Sequence, residues 1–299
     1  MALAGFASGR FNQAVLTLER IWLGYCAAMI AVALIADGGD TRGHQPWLFI
    51  ALHLGIAGMQ GVIVLLACRW PPLRMRLLRG CFACIACPIT FSSLAWLLPA
   101  VHPEPFEWFF LGLELRWFGE DLSQRGLLSL SPLSLLLLQC LYAAFYVLPV
   151  AAALIVARRG SVAAFDRSLT IVVGCFLISY LGYLLVPTLG PNQVYKLPPE
   201  AYGRGFPALL HQVIENSEAN PWDCFPSGHT MLALVSTILV YRWARAFTLL
   251  MIVVTVPLIA ATILLRYHWT ADVLAGSLAA LPAVWIIDYL LLCDGAPAA

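Results

Sequence analysis

Charge is what this sequence has least of. Of its 299 residues only 11% are charged, while 61% belong to the hydrophobic and aromatic set and mean hydropathy is +0.84. Soluble domains carry about 25% charged residues, so a water-soluble globule is excluded. Seventeen basic against sixteen acidic side chains leave a net charge of +1. That is too thin a field to track a nucleic-acid backbone, and no nucleic-acid partner is expected. The apolar/polar alternation over about ten residues that marks a membrane β-barrel is missing too. Neither end carries a lipidation motif. Of nine cysteines only Cys224 falls in an outer segment, so the oxidising side offers it no partner and no disulfide framework is expected.

Long apolar runs are there instead. A spanning helix needs about 20 mostly apolar residues, because in hydrocarbon the backbone must bond to itself. Eight runs qualify, at roughly 20–36, 47–68, 81–100, 131–157, 168–187, 227–243, 246–265 and 270–292. The fold class is therefore an all-α polytopic membrane helix bundle of about eight transmembrane helices. The first run, behind Arg10 and Arg20, reads as a retained span and not a cleaved leader. Cations stay cytoplasmic in short loops, and the alternation that puts both termini inside gives the inner segments eleven of the seventeen. Among these are Arg10, Arg69, Arg74, Arg76, Arg79, Arg158 and Arg159. Most acids, including Asp37, Asp40, Glu107, Glu114, Asp121 and Glu218, then fall outside.

Two outer segments exceed mere connections. Residues 103–125 place Phe106, Phe110, Leu113 and Trp117 at helical spacing, with Glu107, Glu114 and Asp121 every seventh residue on another face. That pattern predicts a helix lying in the membrane interface. Residues 188–226 open with turn chemistry at Pro187-Thr188-Leu189-Gly190-Pro191-Asn192 and close at the mouth of the sixth span. Cys81, Cys84 and Cys87 recur every third residue; packing of small polarizable side chains on one helix face explains them better than a metal site does.

The chemistry-bearing residues sit at two places. Pro226-Ser227-Gly228-His229 starts the sixth span, so the Ser227 and Gly228 amides at a helix N-terminus form an anion cradle. His229 adds a group that can donate a proton near neutral pH. At the outer end of the seventh span stands Arg266-Tyr267-His268, with Asp272 four residues after His268. If the eighth span begins by about Tyr267, the carboxylate shares a face with the ring and can hold one of its nitrogens. Arg266 supplies a planar cation suited to phosphoryl oxygens. Two spans separate His229 from His268, so both emerge on one face of the membrane.

Pro226-Ser227-Gly228-His229, and His268 with Asp272, resemble the second and third signature motifs of the type-2 phosphatidic acid phosphatase superfamily, which shares a fold with vanadium haloperoxidases. The resemblance implies a six-helix catalytic core over residues 81–299, containing the interfacial helix 103–125 and an active-site loop 188–226. Residues 1–80 would supply two further transmembrane helices. It further implies His268 as nucleophile, Asp272 as the carboxylate that orients it and His229 as general acid. Arg266-Tyr267-His268 followed by Asp272-Val273-Leu274-Ala275-Gly276 is similar to the branch that includes inositol phosphorylceramide synthases. The usual third-motif arginine, six residues before the histidine, is Thr262 here, and no lysine or arginine occupies the helix before Pro187. Phosphate charge must then come from Arg266, or from Lys196 or Arg204 in the outer loop.

The implied activity is metal-independent release of phosphate from a lipid phosphomonoester through a phosphohistidine, with no cofactor. Transfer of the phospho-head-group to a lipid alcohol is the alternative. A metal hydrolase using His229, His268 and Asp272 as ligands fits less well, because Arg266 would repel the cation. A transporter is disfavoured because the spans are almost free of charge away from their ends.

Overall fold

The computed structural model describes residues 17–36, 46–67, 69–217 and 220–294. Arg10, Asp37, Asp40, Cys68 and Glu218, used in the charge and cysteine readings, lie outside the described residues. Among the described residues the regular elements are helices, with one isolated parallel bridge between Thr188 and Asp223.

The membrane-length elements are α1 (Thr17–Ala36), α2 (Pro46–Ala67) and α3 (Pro72–Val101). After two short outer helices, α4 (Glu107–Phe118) and α5 (Leu122–Ser129), come α6 (Pro132–Ala143) and α7 (Leu148–Arg159). Then follow α8 (Val162–Leu185), the outer-loop helix α9 (Phe206–Ser217), α10 (Gly228–Trp243), α11 (Thr248–Leu264) and α12 (Thr270–Cys293). Six of these, α1, α2, α3, α8, α11 and α12, are long and apolar enough to cross a membrane. The helices α6 and α7 pass the same test together, bent by 60° where Pro149 enters the first turn of α7. The sixth expected span is α10, at 16 residues the shortest. A polytopic all-α bundle is what the composition called for.

The centre of the bundle is α10, which packs against α7, α8, α11 and α12. Its Met231, Leu232, Val235 and Leu239 meet Ile171 and Cys175 of α8 and Val284 and Ile287 of α12. A second core joins Trp22, Phe49, Leu94 and Leu98 to Tyr180 and Tyr183 of α8. So α8 is buried on two faces and carries α1, α2 and α3 as a group on the side away from α10. Residue 80 lies inside α3, which runs unbroken past it. Cys87 faces this second core while Cys81 and Cys84 face outward, so only one of the three packs as expected.

One end of the bundle is tied by charge. Arg167 and Arg242 both donate to Asp288 (2.8 and 2.5 Å), Arg76 to Asp166 (2.9 Å) and Arg79 to the buried Glu19 (2.5 Å). Thr17 and Arg20 of α1 reach Asp294 beyond α12. Arg242, Asp288 and Asp294 lie at the ends of α10 and α12 opposite Gly228 and Thr270, and their partners come from the starts of α1 and α8.

The outer segment 103–125 is not one helix. Gly119 adopts φ +74°, a left-handed turn that ends α4, and Asp121 caps α5 by accepting the Ser123 and Gln124 amides. Its acidic face points inward: Glu107 and Glu114 are buried, whereas Phe106, Trp108, Phe109, Trp117 and Phe118 are exposed. An aromatic outer face and an acidic inner one suit a helix with lipid outside and a polar site beneath.

Gly276 of α12 sets the distance between the two site-bearing helices, because a methyl group there would collide with the Ser227 carbonyl oxygen. That neighbour is backbone and cannot rotate away. Gly276→Ala is therefore expected to destabilise the protein by about 1–3 kcal/mol through overpacking. A thermal-unfolding midpoint in detergent unchanged from wild type would contradict this packing.

Candidate active site

The site is assembled where α10 and α12 begin. Ser227 caps α10: its Oγ accepts from the Thr230 amide (3.2 Å). Its own amide donates to the Asp272 carbonyl (3.0 Å), so the Ser227 N–H expected to face an anion is already bonded. Pro226, placed by sequence in the first helical turn, stands before the cap, behind a cis Phe225–Pro226 bond. Gly228 needs to be glycine because its side-chain position is taken by the Tyr183 hydroxyl of α8, not to admit phosphate.

The helix α12 begins at Thr270, not by Tyr267, so His268 precedes it and does not share a helical face with Asp272. The two are brought close by capping instead. Asp272 Oδ2 accepts the Trp269 amide (2.8 Å), which folds the preceding residues back over the helix start and leaves His268 Nδ1 3.7 Å from that oxygen. The nearer partner of Nδ1 is the main-chain carbonyl of Cys224, at 3.0 Å.

That contact fixes the tautomer. A carbonyl only accepts, so Nδ1 carries a proton, and in the neutral ring Nε2 keeps its lone pair. His268 Nε2 lies 3.2 Å from His229 Nδ1. A lone pair facing that nitrogen requires His229 to carry a proton on Nδ1. One imidazole thus presents a base and the other a proton, at a single point. His229 is half-buried between Tyr142, stacked at 4.7 Å, and Phe145, at 4.1 Å. Its Nε2 has no hydrogen-bond partner among the described residues.

Several residues here were not singled out by sequence. The Cys224 thiol donates to Asp272 Oδ2 (2.8 Å) and lies 3.3 Å from His268 Nδ1. Burial pushes that thiol well up, and the adjacent Asp272 carboxylate adds to it. Glu114 of α4 accepts the Thr270 amide (2.5 Å), and burial raises its carboxyl. Tyr142 and Phe145 come from the bend between α6 and α7, a break that an unbroken apolar run conceals. The heptad of acids from 107 to 121 was the signal that could have pointed Glu114 inward.

Arg266 is fully buried in a left-handed conformation (φ 68°) between α11 and α12. Its guanidinium donates to the Pro191 and Tyr195 carbonyls (3.0 and 3.1 Å), lies over the Tyr195 ring and stands 4.0 Å from Asp121. Arg266 therefore clamps the outer loop around the site. Lys196 and Arg204 are exposed, Lys196 lining a cavity of about 680 Å3 with Asn192, Tyr202, His211, Gln212 and Glu215. His211, pushed down to about 4 by burial, stacks on Tyr202 and bonds the Tyr267 hydroxyl (3.0 Å). Tyr267 in turn stacks on Tyr142, so the cavity wall is continuous with the packing behind His229.

Asp223 gives a pH test. Desolvation raises its carboxyl from the ordinary 3.8 to about 6, opposed by attraction to His268. A folded-state value above the unfolded one means the native protein holds the proton more tightly, so this stability is lost as pH rises through about 6. Asp223→Asn mimics the protonated form. Its advantage in unfolding midpoint over wild type should grow between pH 4 and pH 6 and level off above; a gap independent of pH would refute the assignment.

Compared with known proteins, the chain from 114 to 286 matches the model of the PAP2 superfamily. No curated protein and no solved structure matches it. The match covers more than half of the chain and takes in both histidines, Asp272 and Arg266. The protein belongs to the PAP2 superfamily.

Proposed function

We propose that this protein is an integral-membrane lipid phosphatase that releases phosphate from an amphiphilic phosphomonoester through a phosphohistidine. The observation that carries the reading is the 3.2 Å approach of His229 Nδ1 to His268 Nε2, with the protons placed by the Cys224 carbonyl. His268 Nε2 attacks phosphorus in line, and the P–O bond to the lipid alkoxide breaks as His229, protonated on both nitrogens beside the phosphate dianion, passes its Nδ1 proton to that oxygen and becomes a neutral ring. Asp272 and the Cys224 carbonyl support the positive charge that develops on the His268 ring. Water, giving one proton to the now neutral His229 ring, then attacks phosphorus from the opposite side, the P–N bond breaks, and inorganic phosphate leaves with His229 again protonated.

An in-line phosphoryl group needs about 3 Å to the nucleophile on one side and a hydrogen bond from the acid on the other. The rings must part to receive it. Equatorial oxygens are held by the His229 amide at the start of α10, which lacks an intrahelical acceptor, while the Gly228 amide bonds the Tyr183 hydroxyl and Arg266 lends its charge from behind the Pro191 turn. Donors of this kind are worth about 3–4 kcal/mol each in comparable sites.

The active site is read as extracytoplasmic and both termini as cytoplasmic. Support comes from the arginine pairs at Asp166, Asp288 and Asp294, which gather at the opposite end of the bundle. The domain reading follows the same logic: α1 and α2 are additions, and residues 81–299 are the catalytic core. A second reading, transfer of the phosphoryl-bearing head group to an alcohol, is favoured by the cavity beside Tyr202 and His211, where Lys196, Gln212 and Glu215 could meet a hydroxylated acceptor.

Purified protein with lipid phosphates should release inorganic phosphate in EDTA. His268→Ala is expected to lower turnover by at least about 10³-fold and to abolish labelling by radioactive substrate. His229→Ala should cost about 10²–10⁴-fold on an alkyl phosphate, and far less on an aryl phosphate whose leaving group needs no proton. Full activity in His268→Ala would overturn the nucleophile; label recovered on an added alcohol, and not in phosphate, would select the transferase.

A further inference from the structure

The flank of His268 that faces away from His229 carries a group with no part in the transfer just described. Cys224 Sγ, His268 Nδ1 and Asp272 Oδ2 face one another at 2.8 Å (S to O), 3.3 Å (S to N) and 3.7 Å (N to O). A tetrahedral zinc ion bound by one sulfur, one nitrogen and one oxygen holds those atoms about 3.3–3.6 Å apart. The triangle is thus within a few tenths of an ångström of that geometry on two edges. The third edge is shortened by the thiol hydrogen bond that a metal would replace. The second carboxylate oxygen, Asp272 Oδ1, is buried without a partner among the described residues.

Charge argues for the same ion. All three residues are buried, and a buried assembly is stable only when its net charge is near zero. A dication with one thiolate, one carboxylate and one neutral imidazole sums to zero. A thiolate and an imidazole select a borderline-soft metal over magnesium or calcium, which prefer oxygen.

We propose that Cys224, His268 and Asp272 form an inhibitory zinc site on the back of the catalytic histidine. Binding removes the thiol proton to solvent and forms the S–Zn bond. The proton on His268 Nδ1 moves to Nε2 as Nδ1 leaves the Cys224 carbonyl and coordinates the metal, the His229 proton shifts from Nδ1 to its unpartnered Nε2 so that Nδ1 accepts, and solvent fills the fourth position. One proton is released, and the total charge of +1 is unchanged across the step. His268 then presents N–H where the phosphoryl transfer needs a lone pair, so the enzyme is off while zinc is bound. This consequence rests on His268 being the nucleophile; the binding itself does not.

The test uses full-length protein in detergent, with Cys81→Ser and Cys84→Ser introduced to remove the two exposed, closely spaced thiols on α3. Cobalt(II) replaces zinc as the spectroscopic probe. One equivalent should produce a thiolate-to-cobalt charge-transfer absorption, and zinc should inhibit phosphate release reversibly, with EDTA restoring it. Cys224→Ser should abolish the absorption and raise the half-inhibiting zinc concentration at least tenfold. Should that variant misfold, zinc-edge X-ray absorption of the parent, showing one sulfur with nitrogen and oxygen neighbours, replaces it. No charge-transfer band in the parent, or a zinc shell without sulfur, overturns the site. A cobalt band with zinc-insensitive turnover would keep the site and reject His268 as nucleophile.

Discussion

Asp272 joins the two stretches of chain on which the site depends. Its Oδ2 takes the Trp269 amide and the Cys224 thiol, and its carbonyl takes the Ser227 amide. One residue therefore caps α12, fixes the loop that enters α10, and stands behind His268. The constraint follows from the solvent. Ser227 and Asp272 are fully buried, away from water that could satisfy free amides, so two helix starts lie side by side here by satisfying each other. Gly276 makes the approach possible by leaving room for the Ser227 carbonyl.

The rest of the architecture serves that junction. The central helix α10 brings His229 up against the bend between α6 and α7, whose Tyr142 and Phe145 rings hold its imidazole. From the other side α8 supplies Tyr183 under Gly228 and then turns at Pro187 into the loop that bridges Thr188 to Asp223. Arg266 completes the enclosure by gripping the Pro191 and Tyr195 carbonyls. Its fixed charge serves loop closure and site polarity together, in a region where Glu114, Asp121, Asp223 and Asp272 outnumber it.

Local pattern and topology together pointed to the superfamily that the family match shows. Two spans between His229 and His268 were enough to put them on one face. Reading the sequence for mechanism at atomic detail went less far. His268 and Asp272 are four apart, yet they meet through an N-terminal cap and not a shared helical face, because α12 starts two residues after His268. Arg266 looked like a free phosphate ligand, but a left-handed backbone buries its guanidinium among carbonyls. Lys196 and Arg204 stand exposed on the outer loop, and 103–125 breaks at Gly119 with its acids turned in.

By itself the sequence determined the solvent, the helical class and the motifs that the family match takes in, because each follows from composition, from apolar runs of membrane length or from patterns within a few residues. Which nitrogen of His268 carries its proton, that Cys224 and Asp223 flank it, and that Glu114 reaches Thr270 were decided only in three dimensions. Those contacts join residues 44 to 156 positions apart. No local propensity encodes such distances; only the packing of α4, α8, α10 and α12 around shared buried polar groups does.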